Sequence, residues 1–467
     1  MRWVFLGLVL SGCFLREDQC DDLIESVCLE KSEESALSTS DFCMGEWIEK
    51  KWWEMFEDEQ LTALIEKGLA DSPTLKKATA KVEMAKQMAK QERSALFPQA
   101  WGTAGTNWQY LSPTGFFRSY APDIPGVVNV IDLDINFSWD VDIWGKNRKR
   151  FEAAVGRMHA EEAERAQTEL FLCISIAQAY FDLQQLFAQE ELLSKLIQIK
   201  QDYLDLTSQR KIKGLDNEIE TFSAEKNLLM TEKALLQIQE LTQIGEHLVK
   251  VLIGESPDSC IEIEPCISLF SKPFPLPENL TCNLVIRRPD LMSELWLIEA
   301  AAKEVGVAKR DFLPSINLTG FGGLESITFA HLLSLHNKSG SLNPIISLPF
   351  FTGGRLTANL KQKRAAFQEA IFEFNELLLR AAGEVADELS SFHLISEQLD
   401  VEEMSVETLE KRTALTERQH KEGLKNKLAV ITQKEELIGE ELLLIELTFR
   451  RNISALKLIK ALGGGYQ

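Results

Sequence analysis

The residue types that most often carry out chemistry are scattered along this chain. Its 467 residues include eight cysteines and six histidines, and no group of them has the spacing of a zinc finger. The phosphate-binding pattern GxxxxGK[ST], the zinc-protease pattern HExxH and the hydrolase pattern GxSxG do not occur. The glycines at 320–323 follow a strand-like stretch and no helix opens after them. We therefore expect no catalytic residue, no metal site and no diffusible cofactor.

The composition narrows the class of protein further. Apolar residues make up 45%, charged residues 26% and aromatic residues 8%, which is typical of a folded chain and excludes collagen-like and disulfide-knot proteins. The formal net charge of −21 would repel a phosphate backbone. Nucleic acid is therefore not expected as a partner.

One cysteine has a context that indicates covalent modification. A charged start is followed by an apolar run from Trp3 to Leu10 and then by Leu-Ser-Gly-Cys13. The run is too short to span a membrane, which needs about 20 residues. It is typical of a secretory signal, and its end resembles the lipobox of bacterial lipoproteins, although a chance apolar start is the alternative. We expect a lipoprotein signal over 1–12, a covalent lipid on Cys13 and an acidic linker over 13–46.

Export would place the remaining cysteines in an oxidising compartment. Cys260 and Cys266 lie in a short segment flanked by prolines and could form a disulfide, and the sequence leaves this question open.

Three glycines repeat with the same spacing in both halves of the chain. In each half the second glycine follows the first by 69 residues, and the third follows after another 40. The residues after the second glycine also match, with GLDN in one half and GLKN in the other. These spacings predict a tandem duplication, roughly 50–255 and 280–467. The six positions are Gly145, Gly214 and Gly254, then Gly354, Gly423 and Gly463.

Each copy is predicted to run from a helix through two strands into a long helical hairpin. The first helices are expected at about 58–96 and 285–311, and no proline interrupts the hairpins. The 69 residues between the first two glycines would form about 100 Å of helix. The predicted segments are strands at about 100–110 and 132–144 with a hairpin at 145–254, and strands at about 315–324 and 344–351 with a hairpin at 354–463.

The clearest strand has one apolar face and one polar face. Large apolar residues alternate with polar ones over twelve positions. The apolar face suits lipid and the polar face suits a water-filled lumen, whereas a strand of a soluble sandwich is the alternative. The predicted lipid-facing residues are Leu133, Ile135, Phe137, Trp139, Val141 and Ile143; the predicted lumen-facing residues are Asp132, Asp134, Asn136, Asp140 and Asp142.

Four strands are too few to close a barrel, since the smallest closed barrels use about eight. The open edges would need partners, and other copies of the same chain can provide them.

Several short motifs together carry a family resemblance. They are Trp52-Trp53-Glu54-Met55-Phe56, Asp142-Ile143-Trp144-Gly145, Arg288-Pro289-Asp290-Leu291, Val305-Gly306-Val307-Ala308, Phe312-Leu313-Pro314-Ser315-Ile316 and Phe351-Thr352-Gly353-Gly354. With these motifs and the lipobox, the chain from about residue 47 onward resembles the TolC-like outer membrane efflux proteins, specifically the lipidated OprM/NodT type.

The resemblance implies an α+β membrane protein that forms a homotrimer. Four strands from each chain would make a 12-stranded β-barrel in the outer membrane, continuous with a long periplasmic α-helical barrel. The two efflux-protein repeats would cover 47–256 and 285–467, with an equatorial linker at 257–284. Implied partners are a periplasmic adaptor and an inner-membrane transporter, most often of the RND type, with ABC or MFS transporters as alternatives.

The resemblance also suggests where the periplasmic end would close. The turns at Gly214 and Gly423 would form the helical tips, and the apolar gate position of the family falls on Leu428. Two acidic positions of the family fall on Ala429 and Thr432, so a ring of carboxylates is not expected here. A charged link that braces the closed tip falls on Glu220 and Lys425, which keep opposite signs.

We therefore expect a passive outer membrane exit duct for small toxic compounds or drugs. Type I protein secretion and a structural lipoprotein that tethers the envelope are the alternatives.

Overall fold

The computed structural model describes residues 23–24, 29–37, 39, 41–45, 47–266, 273–277 and 287–466. The predicted signal and Cys13 lie outside these ranges, and only parts of the two predicted linkers lie within them. The described residues form two compact units. The first unit contains 81–161 and 294–373, and the second contains the described residues of 24–80, 162–293 and 374–467.

Each half of the chain ends with two long helices. Up to residue 252 the elements are α1 (Glu30–Leu37), β1 (Phe42–Gly45), a 3-10 helix (Trp52–Phe56), α2 (Glu59–Asp71), α3 (Pro73–Ser94), β2 (Gln99–Tyr110), α4 (Phe116–Tyr120), β3 (Val127–Asp140), α5 (Lys146–Ile212) and α6 (Glu218–Leu252). The second half contains β4 (Phe274–Pro277), α7 (Pro289–Arg310), β5 (Ser315–Ser326), 3-10 turns at Phe329–His331 and Leu335–Asn337, β6 (Lys338–Ser347), α8 (Arg355–Lys421) and α9 (Lys427–Ala461).

The two hairpins have the same dimensions. Helices α5 and α8 each contain 67 residues, and α6 and α9 each contain 35. None of the four contains proline, and residues with high helix propensity such as Ala, Leu, Glu, Gln and Lys predominate.

Each long helix ends at one of the duplicated glycines in a Schellman motif. At the end of α5, the amide of Gly214 donates to the carbonyl of Lys211 at 2.9 Å, and the next amide donates to the carbonyl of Arg210 at 2.8 Å. The same pattern ends α6, α8 and α9. The φ angles of the four glycines lie between +71° and +88°, a region that side chains disfavour. These four glycines therefore mark positions where the backbone leaves a helix in a left-handed conformation.

The helix predicted over 58–96 is in fact two helices. Helix α2 ends at Asp71, and α3 begins at Pro73. Because proline lacks an amide hydrogen, it is tolerated in the first turn of a helix but not in the interior. The prediction of one continuous helix was wrong because Pro73 starts a new helix there. The second-half helix, predicted from 285, begins at Pro289.

An aromatic cluster fills the core of the second unit around a buried tyrosine. Trp52, Phe56 and Phe181 are 1%, 3% and 0% exposed. The Tyr180 hydroxyl donates to Asp58 Oδ2 at 2.8 Å, while Asp58 Oδ1 accepts the amide of Leu61 and so caps α2. Burial raises the pKa of Tyr180, which keeps the hydroxyl protonated as a donor. One carboxylate therefore joins the start of α2 to the middle of α5.

The Arg288-Pro289-Asp290-Leu291 motif has a structural explanation. Arg288 is 6% exposed and makes a bidentate pair with Asp290 at 2.7 and 3.1 Å. Its guanidinium also donates to Glu384 Oε2 and to the carbonyl of Ala461, both at 3.0 Å. This side chain therefore links the start of α7 to α8 and to the C-terminal end of α9.

The four described cysteines are free thiols. Cys260 and Cys266 are exposed and form no disulfide with each other. Cys43 is also exposed and free. Cys173 is buried, and desolvation raises the pKa of its thiol to about 12, so the group stays neutral.

We expect Gly463→Ala to lower the midpoint of thermal unfolding much more than Gly423→Ala. Both glycines have similar positive φ angles, of +88° and +77°, so each substitution costs about 1–2 kcal/mol in backbone strain. A Cβ atom at 463 would also collide with the carbonyl oxygen of Arg287, whereas no atom lies within 4 Å of one at 423. Equal midpoints for the two variants would contradict this assignment of close packing.

Candidate functional site

The first unit contains a four-stranded antiparallel sheet in the order β2-β3-β5-β6. Strands β2 and β6 therefore form its two edges, and neither edge is paired within the described part of the chain. The ends of all four strands that lead to helices meet on one side of the sheet, since Gln99 pairs with Ser138 and Ser315 pairs with Ser347. The connections 111–126 and 327–337 lie at the opposite side.

The polar face of β3 is matched by small and polar residues on its neighbours. Asp132 pairs with Gly105 and Glu325, and Asp134 pairs with Thr103 and Gly323. A Cβ atom at Gly105 or Gly323 would come too close to the neighbouring carboxylate, so glycine leaves space for it. Asn136 donates from Nδ2 to Thr103 Oγ1 at 2.8 Å. The predicted lumen-facing Asp132, Asp134 and Asn136 thus share one face of the sheet.

The other face of β3 is apolar and exposed in a single chain. Leu133 pairs with Ala104, Ile135 lies between Gly102 and Gly322, and Phe137 packs over Gly320. The side chains of Leu133 and Ile135 are 42% and 66% exposed. An exposed apolar surface of this kind is typical of a face that contacts lipid or another protein chain.

The strand ends earlier than predicted. Its last residue is Asp140, so Val141 and Ile143 lie beyond it. Asp142 also lies beyond the strand, and its carboxylate accepts the amides of Asn147 and Arg148 at 3.0 and 2.8 Å. Asp142 therefore caps the start of α5 instead of continuing the polar face of the strand. The strand predicted at 344–351 is likewise displaced, because β6 occupies Lys338–Ser347.

The two hairpin tips of the second unit are built in the same way. After the glycine and an exposed leucine, Asn217 begins α6 and accepts the amide of Glu220 at 3.1 Å. Asn426 begins α9 and accepts the amide of Ala429 at 2.9 Å. The repeated sequence G-L-x-N thus encodes a helix stop, a turn and a helix start. The capping role of the two asparagines was missed by the sequence analysis, although the repeated text was the signal for it.

Ion pairs stabilise the first tip locally. Arg210 donates to Asp216 at 2.6 and 3.1 Å, and Lys211 lies 2.7 Å from Glu218. The hydrogen bond from each cation lowers the pKa of its acidic partner. Both acids therefore remain charged well below neutral pH. The second tip has a different contact, from His420 Nδ1 to the carbonyl of Lys425 at 2.9 Å.

The predicted gate residues lie on the second tip and at the start of α6. Leu428 is half-buried, and Thr432 is exposed with its hydroxyl donating to the carbonyl of Leu428 at 3.1 Å. Glu220 and Lys425 are both exposed, and within the described residues of one chain they form no ion pair with each other. A ring at Leu428 and a brace between Glu220 and Lys425 stay predictions for the assembled protein.

Comparison with known proteins decides the family. The model of the outer membrane efflux protein family matches residues 64–255 and 282–464. The chain belongs to this family. Its members are outer membrane channels that form homotrimers and work with periplasmic adaptors and inner-membrane transporters. Four strands per chain then close a 12-stranded barrel that continues into long helices, as the resemblance implied.

Individual relatives match over most of the chain. The multidrug resistance outer membrane protein MdtP of Escherichia coli K12 is 29% identical over 98% of this chain and 94% of its own length. The fusaric acid resistance protein FusA of Burkholderia cepacia is 28% identical, over 76% and 67%. The crystal structure of VceC from Vibrio cholerae is 31% identical, with a TM-score of 0.80 over 90% of this chain and 100% of VceC. The outer-membrane channel OprN, 21% identical, has a TM-score of 0.85 over 97% and 99%.

We expect Asn426→Ala to loosen the start of α9 in this outer membrane efflux protein. Loss of an N-cap acceptor costs about 1 kcal/mol, so the amides of 427–432 should exchange with deuterium about fivefold faster. Asn426→Asp keeps the acceptor and is the matched control. Unchanged exchange in the alanine variant would show that the cap does not hold the tip.

Proposed function

We propose that this protein is the outer membrane exit duct of a tripartite efflux pump and passively conducts small toxic compounds. The observation that carries the proposal is the open sheet, which has one acidic face, one exposed apolar face and two edges that no other described segment of the chain pairs with. Three such sheets can enclose a polar lumen and present an apolar surface to lipid. A structural tether would need no such two-faced sheet.

The names of the relatives support small molecules as cargo. MdtP is named for multidrug resistance and FusA for fusaric acid resistance. The family is one of transport ducts, and the acidic face of β3 suits a lumen that tolerates cations. The source of energy would be the inner-membrane transporter, for which we propose the RND type.

The chain is proposed to be anchored by lipid as well as by its strands. The apolar run before Leu-Ser-Gly-Cys13 supports acylation of this cysteine after signal cleavage. Mass spectrometry of the mature N-terminal peptide would test it, since an acylated Cys13 carries the added mass of its fatty acids and an unmodified cysteine would refute the anchor.

Crosslinking of intact cell envelopes tests the transport role directly. We expect a periplasmic adaptor and an RND transporter to copurify with the crosslinked protein. Recovery of an ABC transporter would replace drug efflux with protein secretion. Recovery of neither, with peptidoglycan-bound proteins instead, would favour the structural tether.

The gate is proposed to be an apolar ring at Leu428. The residue is half-buried in the first turn of α9, five positions after the turn glycine. Its neighbours Ala429 and Thr432 carry no charge, so the closed tip would rely on apolar contact and not on a bound cation.

We expect Leu428→Gly to raise the single-channel conductance in planar bilayers, because three apolar side chains would leave the narrowest point. Ala429→Gly introduces the same glycine penalty of about 1 kcal/mol in the same helical turn and should leave the conductance unchanged. Equal conductance for wild type and Leu428→Gly would exclude this residue as the constriction.

We expect either Glu220→Lys or Lys425→Glu to make the channel leaky to small dyes in cells. If the two side chains form a brace in the trimer, the double charge swap should restore a closed tip, since it re-creates an opposite pair. Failure of the double variant to reduce the leak below that of the single variants would reject the brace.

A further inference from the structure

The first unit concentrates positive charge where its helices join the sheet, although the chain as a whole carries a net charge of −21. Helix α5 begins with Lys146-Asn147-Arg148-Lys149-Arg150, so four of its first five residues are cations. The first ten residues of α8, from Arg355 to Arg364, contain four cations and no acid. The last turns of α3 contribute three further cations.

Much of this charge has no acidic partner among the residues that the structure describes, although Arg150 donates a hydrogen bond to Asn147 Oδ1 at 3.4 Å. Six cations at the junction are exposed, and none of them forms an ion pair within the described residues. We call these six residues the basic belt. They are Lys86, Lys90 and Arg93 on α3, Arg150 on α5, and Arg355 and Lys361 on α8.

The arrangement opposes the ordinary electrostatics of a helix. The N-terminal end of a helix carries a partial positive charge, so acids are favoured there and cations are disfavoured. Neither α5 nor α8 has an acid in its first turn. At α5 the carboxylate of Asp142 already occupies the free amides. An external anion would therefore be bound by the cationic side chains of the basic belt and not by the amides at the helix end.

Exposed apolar residues border the basic belt on the strand side. Phe97 follows Arg93 by four residues and is 56% exposed. Ile143 precedes α5 by three residues and is 58% exposed. Phe350 and Phe351, just before Arg355, are 96% and 88% exposed. The connections α3–β2, β3–α5 and β6–α8 therefore each have exposed apolar residues near the sheet and cations a few residues away in the helix.

We propose that the basic belt binds the phosphate groups of anionic phospholipids in the membrane leaflet that faces the helices. Hydrocarbon next to negatively charged headgroups is the environment that matches apolar residues bordered by cations. The six cations come from three different helices, and all six are exposed in a single chain. The inference goes beyond the duct function, because it concerns the lipid around the channel and not its cargo.

The test measures lipid preference with the purified trimer in detergent micelles. Pyrene-labelled phosphatidylglycerol and pyrene-labelled phosphatidylcholine are compared by energy transfer from tryptophan. We expect a clear preference of the wild type for phosphatidylglycerol. The variant Arg93→Gln, Arg150→Gln, Arg355→Gln and Lys361→Gln should lose at least about tenfold in affinity for it, since one cation near an anionic surface contributes about fivefold.

A matched control removes the same charge elsewhere. Lys213, Lys226, Lys233 and Lys427 are exposed residues of the second unit, without ion pairs among the described residues, and changing all four to Gln should leave the preference intact. Replacing Arg93, Arg150 and Arg355 by Lys should also retain it. Migration as a trimer on unboiled gels establishes that each variant is assembled.

Three outcomes would overturn the proposal. The first is equal affinity for the two lipids in the wild type, and the second is an equal loss in the belt variant and the control. The third concerns the source of the phosphate. Sodium phosphate and sodium chloride at equal ionic strength should weaken lipid binding equally, whereas stronger competition by inorganic phosphate would show a site for the free anion.

Discussion

Backbone hydrogen bonding at the edges of one sheet determines the rest of this structure. In hydrocarbon every backbone N–H and C=O group needs a partner within the protein, so an open sheet edge is not tolerated there. Strands β2 and β6 are the two edges of the four-stranded sheet and are unpaired in the part of the chain that the structure describes. Three copies can satisfy both edges at once. We propose that the polar face then surrounds a lumen and that the apolar face contacts lipid.

The duplication in the sequence gives each half of the chain the same parts. Each half supplies two strands to the sheet and one hairpin, whose helices contain 67 and 35 residues. A trimer therefore contains six hairpins of the same length. Their tips share the sequence G-L-x-N, in which the glycine ends one helix and the asparagine starts the next. The proposed gate residue Leu428 lies at one of these tips, in the first turn of α9.

Much of this could be predicted from the sequence because it depends on local chemistry. The positive φ angles at Gly214 and Gly423 explain why equal glycine spacings located the tips. The alternation of apolar and polar residues located the two-faced strand β3, because successive side chains of a strand point to opposite faces. Pro73 was harder to interpret, because a proline in a helical pattern can end a helix or begin one. Asp142 continued the alternating pattern, yet only the fold shows that its carboxylate caps a helix. The basic belt could not be found from sequence, since it unites three segments that are distant along the chain.

The most direct test of the account is the stoichiometry of the purified protein, measured by native mass spectrometry in detergent. The account predicts an assembly of three chains, each of 52.8 kDa for the full sequence, that falls apart only when the sheet unfolds. A stable monomer with an intact sheet would contradict it, because the edges of β2 and β6 would then be satisfied without other copies.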